Sequence, residues 1–297
     1  MGIRLLGLIL TAFTAFAGDR HLGPVTDIVV MGSRVFSVSQ GGVFNGAKKI
    51  YQPSIRVCAL AADGDDLVLV GGDPGVSGMV IVLHPKSGRI RSLRVADDLV
   101  YDVAVHSGVA ALGCADGRVL TVDVARLNEP TTKYRHTAAV RAVAFNKSGS
   151  HLASGGLDSL VMLLPLKDGS KPIPMQDHTA KVDCLVFSPD GKSIASGARD
   201  GKVRIHNLEG RLVRTYLGIA SESAEIVWDN NPYIFSLAWG GQPSKLFAGA
   251  AKGGIYELSL ANNTWKRTSS RFTQPIYSLR FVADKTLMIG AHGQLTR

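Results

Sequence analysis

Two groups of side chains in the middle of the chain have the types that nucleophilic chemistry uses: a serine, a histidine and an aspartate. The first group is His136, Ser154 and Asp158, and the second is His178, Ser196 and Asp200. Each member of the second group follows its counterpart by 42 residues, as in a repeated structural unit. Neither serine lies in the glycine-flanked motif that presents a catalytic serine, so we expect both groups to be structural.

The repeat extends beyond these two groups, because four glycines share one register. Gly71, Gly113, Gly155 and Gly197 are separated by 42 residues each, and each follows an apolar run. Less regular copies are "VTDIVVMGSRVFSVSQGGVF" near the start and "FAGAAKGGIYELS" and "MIGAHGQLTR" near the end. We count seven units, and a period of about 40 to 45 residues is typical of a β-propeller.

Each unit has the features of short antiparallel strands joined by tight turns. In "FSPDGKSIASGARDGKVRIHN", which runs from Phe187 to Asn207, apolar residues alternate with small or polar ones on both sides of an Asp-Gly turn. The tripeptide from Pro189 to Gly191 is a second turn signal. The sequence therefore predicts an all-β fold, a seven-bladed β-propeller of four-stranded antiparallel blades.

The fourth and fifth units resemble the WD40 repeat family, and the other five follow the period with degraded motifs. His136 and His178 stand where the family's "GH" histidine opens a repeat, and "HN" ends the fifth unit where "WD" is usual. The resemblance implies that the histidine, serine and aspartate of each blade form a buried hydrogen-bond network. The tryptophan position of that network is taken by His206 in blade five and by Leu164 in blade four.

The first residues, "MGIRLLGLILTAFTAFAGDR", differ in kind from the rest of the chain. One arginine, a short apolar run and the small-x-small sequence from Ala15 to Ala17 are typical of a signal peptide. We expect residues 1–17 to be removed and residues 18–297 to form the propeller, in the periplasm or outside the cell. The apolar run is too short to span a membrane in the mature protein.

Ring closure gives an alternative role to the same segment. The last unit ends at Arg297 after its third strand, and WD40 rings usually take the missing outer strand from the N-terminus. Either the mature ring closes with a three-stranded last blade, or the segment from Leu5 to Phe16 is retained as the outer strand. In the second case we expect the protein to remain in the cytoplasm.

The composition fits one domain without a reactive centre. The 297 residues include 33 glycines and 19% charged residues, and no linker divides them. Cys58, Cys114 and Cys184 fall in three different units at strand or small-residue positions, so we expect neither a disulfide nor a metal site. The sequence has no HExxH, CxxC or CxxCH motif and no P-loop lysine. We therefore predict no enzyme activity, cofactor or metal.

Two loops depart from the repeat. The sixth unit has ten extra residues in "ASESAEIVWDNNPY", and the second has four extra residues in "GGDPGVSG". Both kinds of loop emerge on the same face of a propeller. We expect Trp228, Tyr233 and Asp73 to contact a partner there, because loop-borne aromatic residues are enriched in binding hot spots. The alternative is that the longer loop covers the channel or packs on blade seven.

The net charge of +9 is concentrated in or beside the outermost strand of each unit, where Arg89 and Arg91 lie. Lysine and arginine at sheet edges block edge-to-edge pairing and keep a protein soluble. The alternative is contact with anionic envelope surfaces or acidic proteins. Basic and aromatic residues do not interleave as a nucleic-acid platform requires, so we predict no nucleic-acid partner.

Three functional classes follow from these features. The first is a monomeric, non-catalytic scaffold that binds one or more proteins, because the chain offers loops and charge without a reactive constellation. The second is an accessory subunit of a periplasmic redox complex, docked through its basic rim. The third is an exported propeller enzyme with a catalytic group and a cofactor in the channel. The sequence favours the first.

Overall fold

The computed structural model describes residues 23–216, 233–240, 244–269, 272–282, 286–291 and 294–296. Regular structure in these ranges consists of 27 strands in seven sheets, and every strand pair is antiparallel. Within the same ranges the chain forms no helix with the length and apolar character that a membrane crossing needs.

The first four sheets, here called blades one to four, have four strands each. Blade one comprises β1 (Asp27–Met31), β2 (Arg34–Ser39), β3 (Gly42–Asn45) and β4 (Lys48–Tyr51). Blade two comprises β5 (Arg56–Asp63), β6 (Asp66–Asp73), β7 (Ser77–Leu83) and β8 (Ile90–Ala96). Blade three comprises β9 (Val100–His106), β10 (Val109–Cys114), β11 (Arg118–Asp123) and β12 (Thr131–Arg135). Blade four comprises β13 (Val140–Phe145), β14 (His151–Gly156), β15 (Val161–Pro165) and β16 (Ile173–Met175).

Blades five and six also have four strands, and the last sheet has three. Blade five comprises β17 (Val182–Phe187), β18 (Ser193–Ala198), β19 (Val203–Asn207) and β20 (Leu212–Tyr216). Blade six comprises β21 (Ile234–Trp239), β22 (Lys245–Ala250), β23 (Ile255–Ser259) and β24 (Thr264–Ser269). Blade seven comprises β25 (Ser278–Val282), β26 (Thr286–Ala291) and β27 (Gln294–Thr296).

In every blade the strands lie side by side in chain order, with the first strand innermost. The inner strands of successive blades contact one another around the whole ring, and β25 contacts β1. The described chain is therefore an all-β propeller with six complete blades and a partial seventh. The inner strands surround a central channel.

The core is divided into seven apolar clusters, and each cluster joins two neighbouring blades. The smallest lies between blades seven and one, where Val25, Ile28 and Val35 meet Met288 and Leu295. The main chain also joins these blades, because the N–H of Val25 donates to the carbonyl of Ala291 at 3.1 Å. The described residues thus close the ring by apolar packing rather than by a shared sheet.

The glycines in strict register allow one blade to pack against the next. A Cβ on Gly155 would lie 2.6 Å from Val182 of blade five, and a Cβ on Gly197 would lie 2.6 Å from Ile234 of blade six. At such distances the neighbouring side chain has to move, so an alanine would force adjacent blades apart. The sequence repeat thus marks the points where β-branched residues approach the second strand of the preceding blade.

The extra residues of blade two lengthen a hairpin more than a loop. Strands β6 and β7 stay paired out to Asp73 and Ser77, and only three residues connect them. Gly75 in this turn has a φ of +67°, which favours glycine, and its N–H donates to the carboxylate of Asp98 at 2.9 Å. The second predicted insertion, in blade six, lies outside the described residues except for Tyr233.

The predicted signal peptide also lies outside the described residues, as does the segment from Leu5 to Phe16. Blade seven has three described strands, and β27 is its outermost. Both proposed fates of the N-terminal segment, cleavage and strand donation, therefore remain predictions.

Candidate binding surface at the channel mouth

In blade four the predicted network is fully buried. His136 Nδ1 lies 3.0 Å from both oxygens of Asp158, and His136 Nε2 lies 2.7 Å from Ser154 Oγ. The hydroxyl of Tyr134, from the outer strand of blade three, donates to Ser154 Oγ at 2.9 Å. Asp158 also accepts the backbone N–H of Thr137 at 3.0 Å. The network therefore fastens the loop before β13 to the turn after β14.

Blade five repeats the core of this network. His178 Nδ1 lies 3.1 Å from Asp200 Oδ2, and His178 Nε2 lies 2.9 Å from Ser196 Oγ. A buried arginine is added here, because Arg204 Nη1 donates to Asp200 Oδ2 at 2.7 Å and lies against the His178 ring. Burial lowers the pKa of His178 and outweighs the carboxylate of Asp200, so the ring is held neutral. Burial opposes ionisation of Asp200, but its bonds to His178 and Arg204 hold its pKa well below the usual range.

The tryptophan position of blade five behaves differently from the predicted network. His206 makes no bond to Ser196; its Nε2 lies 2.7 Å from Asp177 Oδ2, and its Nδ1 has no hydrogen-bond partner among the described residues. The ring is almost completely buried, whereas Asp177 is about one-third exposed. His206 therefore forms a separate ion-pair contact, between the third strand and the loop before the blade. A ring N–H at this position can reach the loop carboxylate without meeting the serine.

Neither serine–histidine–aspartate group is positioned to act on a substrate. Ser154 and Ser196 have no exposed surface, and both histidines are buried. A nucleophile must reach a reacting atom at about 3 Å, which these burial values prevent. Their side chains satisfy one another inside the blade, in the manner of a structural network.

The side chains that do face an open space surround the channel. In five inner strands the second or third residue is displaced from the ladder by a β-bulge, which re-aims its side chain. In blades one and seven the residue directly before the inner strand takes the same place. All seven residues line one cavity of about 220 Å³: Thr26, Cys58, Tyr101, Arg141, Asp183, Phe235 and Tyr277. We call this set the mouth ring.

Two halves of the mouth ring differ in chemistry. In blades three and four the guanidinium of Arg141 lies 4.4 Å from the centroid of the Tyr101 ring, a cation–π contact. In blades six and seven Phe235 and Tyr277 have ring centroids 5.8 Å apart, and Phe235 also contacts Tyr233 at 6.1 Å. The mouth therefore presents arginine on one side and aromatic surface on the other.

A narrower, charged level lies just below the mouth ring. Asp27 Oδ1 accepts hydrogen bonds from Ser278 at 3.1 Å and from Arg280 at 3.3 Å. Asp102 accepts the N–H of Val143 at 2.8 Å. The only surface it exposes faces the enclosed channel, so burial, reinforced by the charge of Asp27, raises its pKa to about 7. Asp102 and Arg280 also line a wider cavity of about 600 Å³ at the other end of the channel.

The predicted loop residues lie at the mouth where the structure describes them. Arg56 lines the cavity and pairs with Gly72, one residue before the exposed Asp73. Tyr233 contacts Phe235 of the mouth ring, and the guanidinium of Arg199 lies 5.3 Å from the Tyr233 ring. Trp228 lies outside the described residues. The lengthened hairpin and the end of the long loop therefore belong to the same face as the cavity.

The basic circumference serves in part to tie the blades together. Arg91 donates to the carbonyls of Ala125 at 2.5 Å and of Val124 at 3.2 Å, across to blade three. Arg214 of blade five donates to the carbonyl of Leu260 in blade six in the same way. Arg89, by contrast, is exposed. Of the two arginines predicted to meet a partner, Arg91 thus has an internal role and Arg89 is available on the surface.

The three cysteines are free thiols. Burial raises the pKa of Cys58 and raises that of Cys114 to about 12, so both are protonated at neutral pH. In the described part of the chain no three histidine, cysteine or acidic residues converge in a way that could hold a metal ion.

The mouth ring was not predicted from the sequence, although a signal for it exists. The register that aligns the glycines also aligns one position near the start of every inner strand. Tyr101, Arg141 and Asp183 occupy that position in blades three to five. Reading it across the units gives seven side chains of different types. A position that varies while its neighbours repeat is free of the constraints of blade packing.

The circular array of antiparallel sheets around a channel defines a β-propeller, and the buried histidine networks recur at one place in two of its blades. The model of the family "WD domain, G-beta repeat" matches residues 128–163 and 170–207, the same two blades. Together, the fold and these matches identify the chain as a WD40-repeat β-propeller.

Known proteins agree with this identification. WD repeat-containing protein 1 of Mus musculus is 30% identical over 149 residues, which cover 49% of this chain and 24% of the mouse protein. The Rattus norvegicus protein of the same name gives the same values. The chain thus matches about a quarter of the length of these relatives. A chain in the crystal structure of a mitotic checkpoint complex superposes with a TM-score of 0.72 at 17% identity, over 98% of this chain and 96% of that chain.

Proposed function

We propose that this WD40 propeller is a non-catalytic scaffold that binds a protein partner at the channel mouth. WD40 propellers typically bind protein partners and are generally non-catalytic. The observation that supports this site is the mouth ring, in which one repeated backbone position carries seven side chains of differing chemistry. Aromatic and arginine side chains gathered in one partly enclosed place are the composition of binding hot spots.

The partner should contact both halves of the mouth. Tyr101 on one side and Phe235 on the other face the cavity from blades three and six. Both are displaced from the ladder by bulges, so their side chains can be removed without breaking strand pairing. The Trp228 loop, which leads into Tyr233, is expected to add contact area at the same face.

Capture of the native partner tests this proposal. Purified wild-type protein and the Tyr101→Ala and Phe235→Ala variants would be used to recover partners from an extract of the source cells. We expect each variant to reduce recovery of a specific partner at least tenfold, because truncation of a hot-spot aromatic costs about 2 kcal/mol or more. Trp228→Ala should reduce it as well.

The matched control is Arg89→Gln on the exposed circumference, which should leave recovery unchanged. Arg91 is unsuitable as a control because it bonds to blade three. If the circumference variant abolishes capture while both mouth variants retain it, the site lies on the rim and the proposal is wrong.

We also propose that the chain is exported to the periplasm or the cell exterior and that the mature protein starts at Gly18. The support is the sequence of residues 1–17, a short apolar run followed by Ala15-Phe16-Ala17. Mass spectrometry of the protein from its native host should find Gly18 as the first residue. An intact N-terminus would instead favour donation of residues 5–16 as the fourth strand of blade seven.

A further inference from the structure

The charges that line the mouth do not balance. Asp183 is held by Arg199 through two hydrogen bonds, of 2.7 Å and 3.1 Å. Arg141 reaches the same carboxylate only at 3.8 Å, and its Nε makes no hydrogen bond within the described residues. Arg56 has neither a hydrogen bond nor an ion pair in the described part of the chain, and it is exposed. Two guanidinium groups therefore face the cavity with little compensation.

The deeper level limits how much negative charge a ligand should bring. Asp27 and Arg280 neutralise each other at 3.3 Å, and Asp102 has no arginine bonded to it. With Arg199 included, four arginines face three aspartates. One positive charge is therefore in excess when every carboxylate is ionised, so a single negative charge matches the site.

The shape and the aromatic half of the mouth narrow the ligand further. A space of about 220 Å³ admits one or two side chains and not a folded domain. Arg141 is stacked on Tyr101, which leaves the N–H edge of its guanidinium free for the planar, two-point pairing that arginine makes with carboxylates. Across the cavity, Phe235 and Tyr277 offer an apolar surface.

We infer that the partner inserts an acidic peptide segment into the mouth, with one aspartate or glutamate carboxylate bound by Arg56 and Arg141 and a neighbouring apolar side chain against Phe235 and Tyr277. This inference rests on the proposed binding at the mouth and adds the chemistry of what is bound. A phosphorylated segment is the competing occupant. Its second negative charge would face Asp27, Asp102 and Asp183 at close range.

Labelled peptides test the inference by fluorescence anisotropy. The probe alternates glutamate with phenylalanine, and its matched counterparts carry glutamine or phosphoserine in place of glutamate. We expect the glutamate peptide to bind at least tenfold more tightly than the glutamine peptide. Arg56→Gln and Arg141→Gln should each remove most of that preference, and Arg89→Gln on the circumference should keep it. Arg56 is exposed and unpaired, so its variant should fold normally, which an unchanged Tm would verify.

The dependence of the affinity on pH separates the two occupants. Groups that face Asp102 or share its cavity are Asp27, Arg280, Arg56, Arg141, Asp183, Cys58 and Cys184. Of these groups and Asp102, only Asp102 changes charge near neutrality, with a pKa of about 7. Protonation of Asp102 removes a repulsion, so the affinity for the glutamate peptide should rise several-fold from pH 8 to pH 6. Asp102→Asn should abolish that rise. A phosphate would instead lose charge over the same range and bind more weakly.

Equal affinity for glutamate and glutamine peptides, or no binding of the glutamate peptide at millimolar concentration, would overturn the inference. So would tighter binding of the phosphoserine peptide that weakens towards pH 6. Such results leave the proposed function standing if Tyr101→Ala and Phe235→Ala still abolish capture of the native partner. Loss of the peptide preference in Arg56→Gln, together with normal capture by the aromatic variants, would separate the two claims in the other direction.

Discussion

Blades four and five fill one backbone register with different chemistry. Both bury a serine, a histidine and an aspartate, but the blade four network ends in the hydroxyl of Tyr134, whereas blade five adds a charged guanidinium from Arg204. The residue that corresponds to Arg204 in blade four is Met162, which packs against apolar neighbours. The same structural motif is therefore built once with few charges and once as a buried ionic cluster.

The comparison indicates where the molecule is most sensitive. A buried ion pair adds little net stability, because desolvation offsets the attraction, but removal of one partner leaves an uncompensated charge. A buried hydrogen-bonded network costs less to damage, since the remaining groups are neutral or find other donors. Blade five should therefore respond more strongly than blade four to equivalent substitutions.

The largest difference is expected for the aspartates. Asp200→Asn leaves Arg204 buried without its carboxylate and should lower the free energy of unfolding by about 3 to 5 kcal/mol. Asp158→Asn in blade four should cost about 1 to 3 kcal/mol. Urea unfolding at pH 7 measures both. Arg204→Met is the matched control, because it gives blade five the residue of blade four; in that background Asp200→Asn should cost no more than Asp158→Asn. Equal losses in all backgrounds would contradict the comparison.

Asp102 has to be removed before the pH dependence of the blades can be compared. Its raised pKa means that the folded state binds more protons than the unfolded state between about pH 4 and pH 7. Its contribution to stability is therefore lost as the pH rises through this window. Asp102→Asn, which can still accept the N–H of Val143, should gain on the parent protein by about 2 to 4 kcal/mol from pH 4 to pH 8. An unchanged difference between the two proteins across this range would show that the carboxylate is ordinarily solvated.

In the Asp102→Asn background, blade five should show the opposite dependence. The pKa of His178 is lowered by burial and by the charge of Arg204, so the unfolded state takes up the proton first as the pH falls below 6.5. Stability should therefore decline from pH 7 towards pH 5. His178→Gln should flatten this decline and Arg204→Met should lessen it. A decline that persists unaltered in His178→Gln would assign the titration to another group.

The smallest effect is expected at the hydroxyl end of the blade four network. Tyr134→Phe removes one hydrogen bond to Ser154, which keeps its bond to His136. We expect a loss of about 1 kcal/mol, measured by the same urea titration. A loss as large as that of Asp158→Asn would mean that the tyrosine, and not the aspartate, anchors the network.

The repeat made much of the fold predictable. Gly155 and Gly197 lie in register because each has to admit a β-branched residue of the next blade, and such a requirement recurs with every unit. The histidine, serine and aspartate positions could be aligned for the same reason. Blade boundaries and strand order follow from the turns between these fixed points.

Other features depended on side chains that the repeat does not constrain. The pairing of His206 with Asp177 arises between a strand end and a loop, where no periodicity applies. Arg204 occupies a position that the pattern marks as apolar in blade four. The mouth ring requires knowledge of the bulges, since a displaced residue turns its side chain away from the face that alternation assigns to it. The basic circumference suggested a contact surface, but Arg91 is engaged with the neighbouring blade.

Hydrogen–deuterium exchange of the protein with and without its captured partner tests the central claim most directly, because it locates the contact without altering a residue. The account predicts slower exchange at the beginnings of the inner strands that carry the mouth ring, around residues 56–58, 101–102 and 141–142. The outer strand β8 should exchange at an unchanged rate. Protection confined to β8 and the other outer strands, with the inner strand beginnings unaffected, would contradict the assignment of the channel mouth as the binding surface.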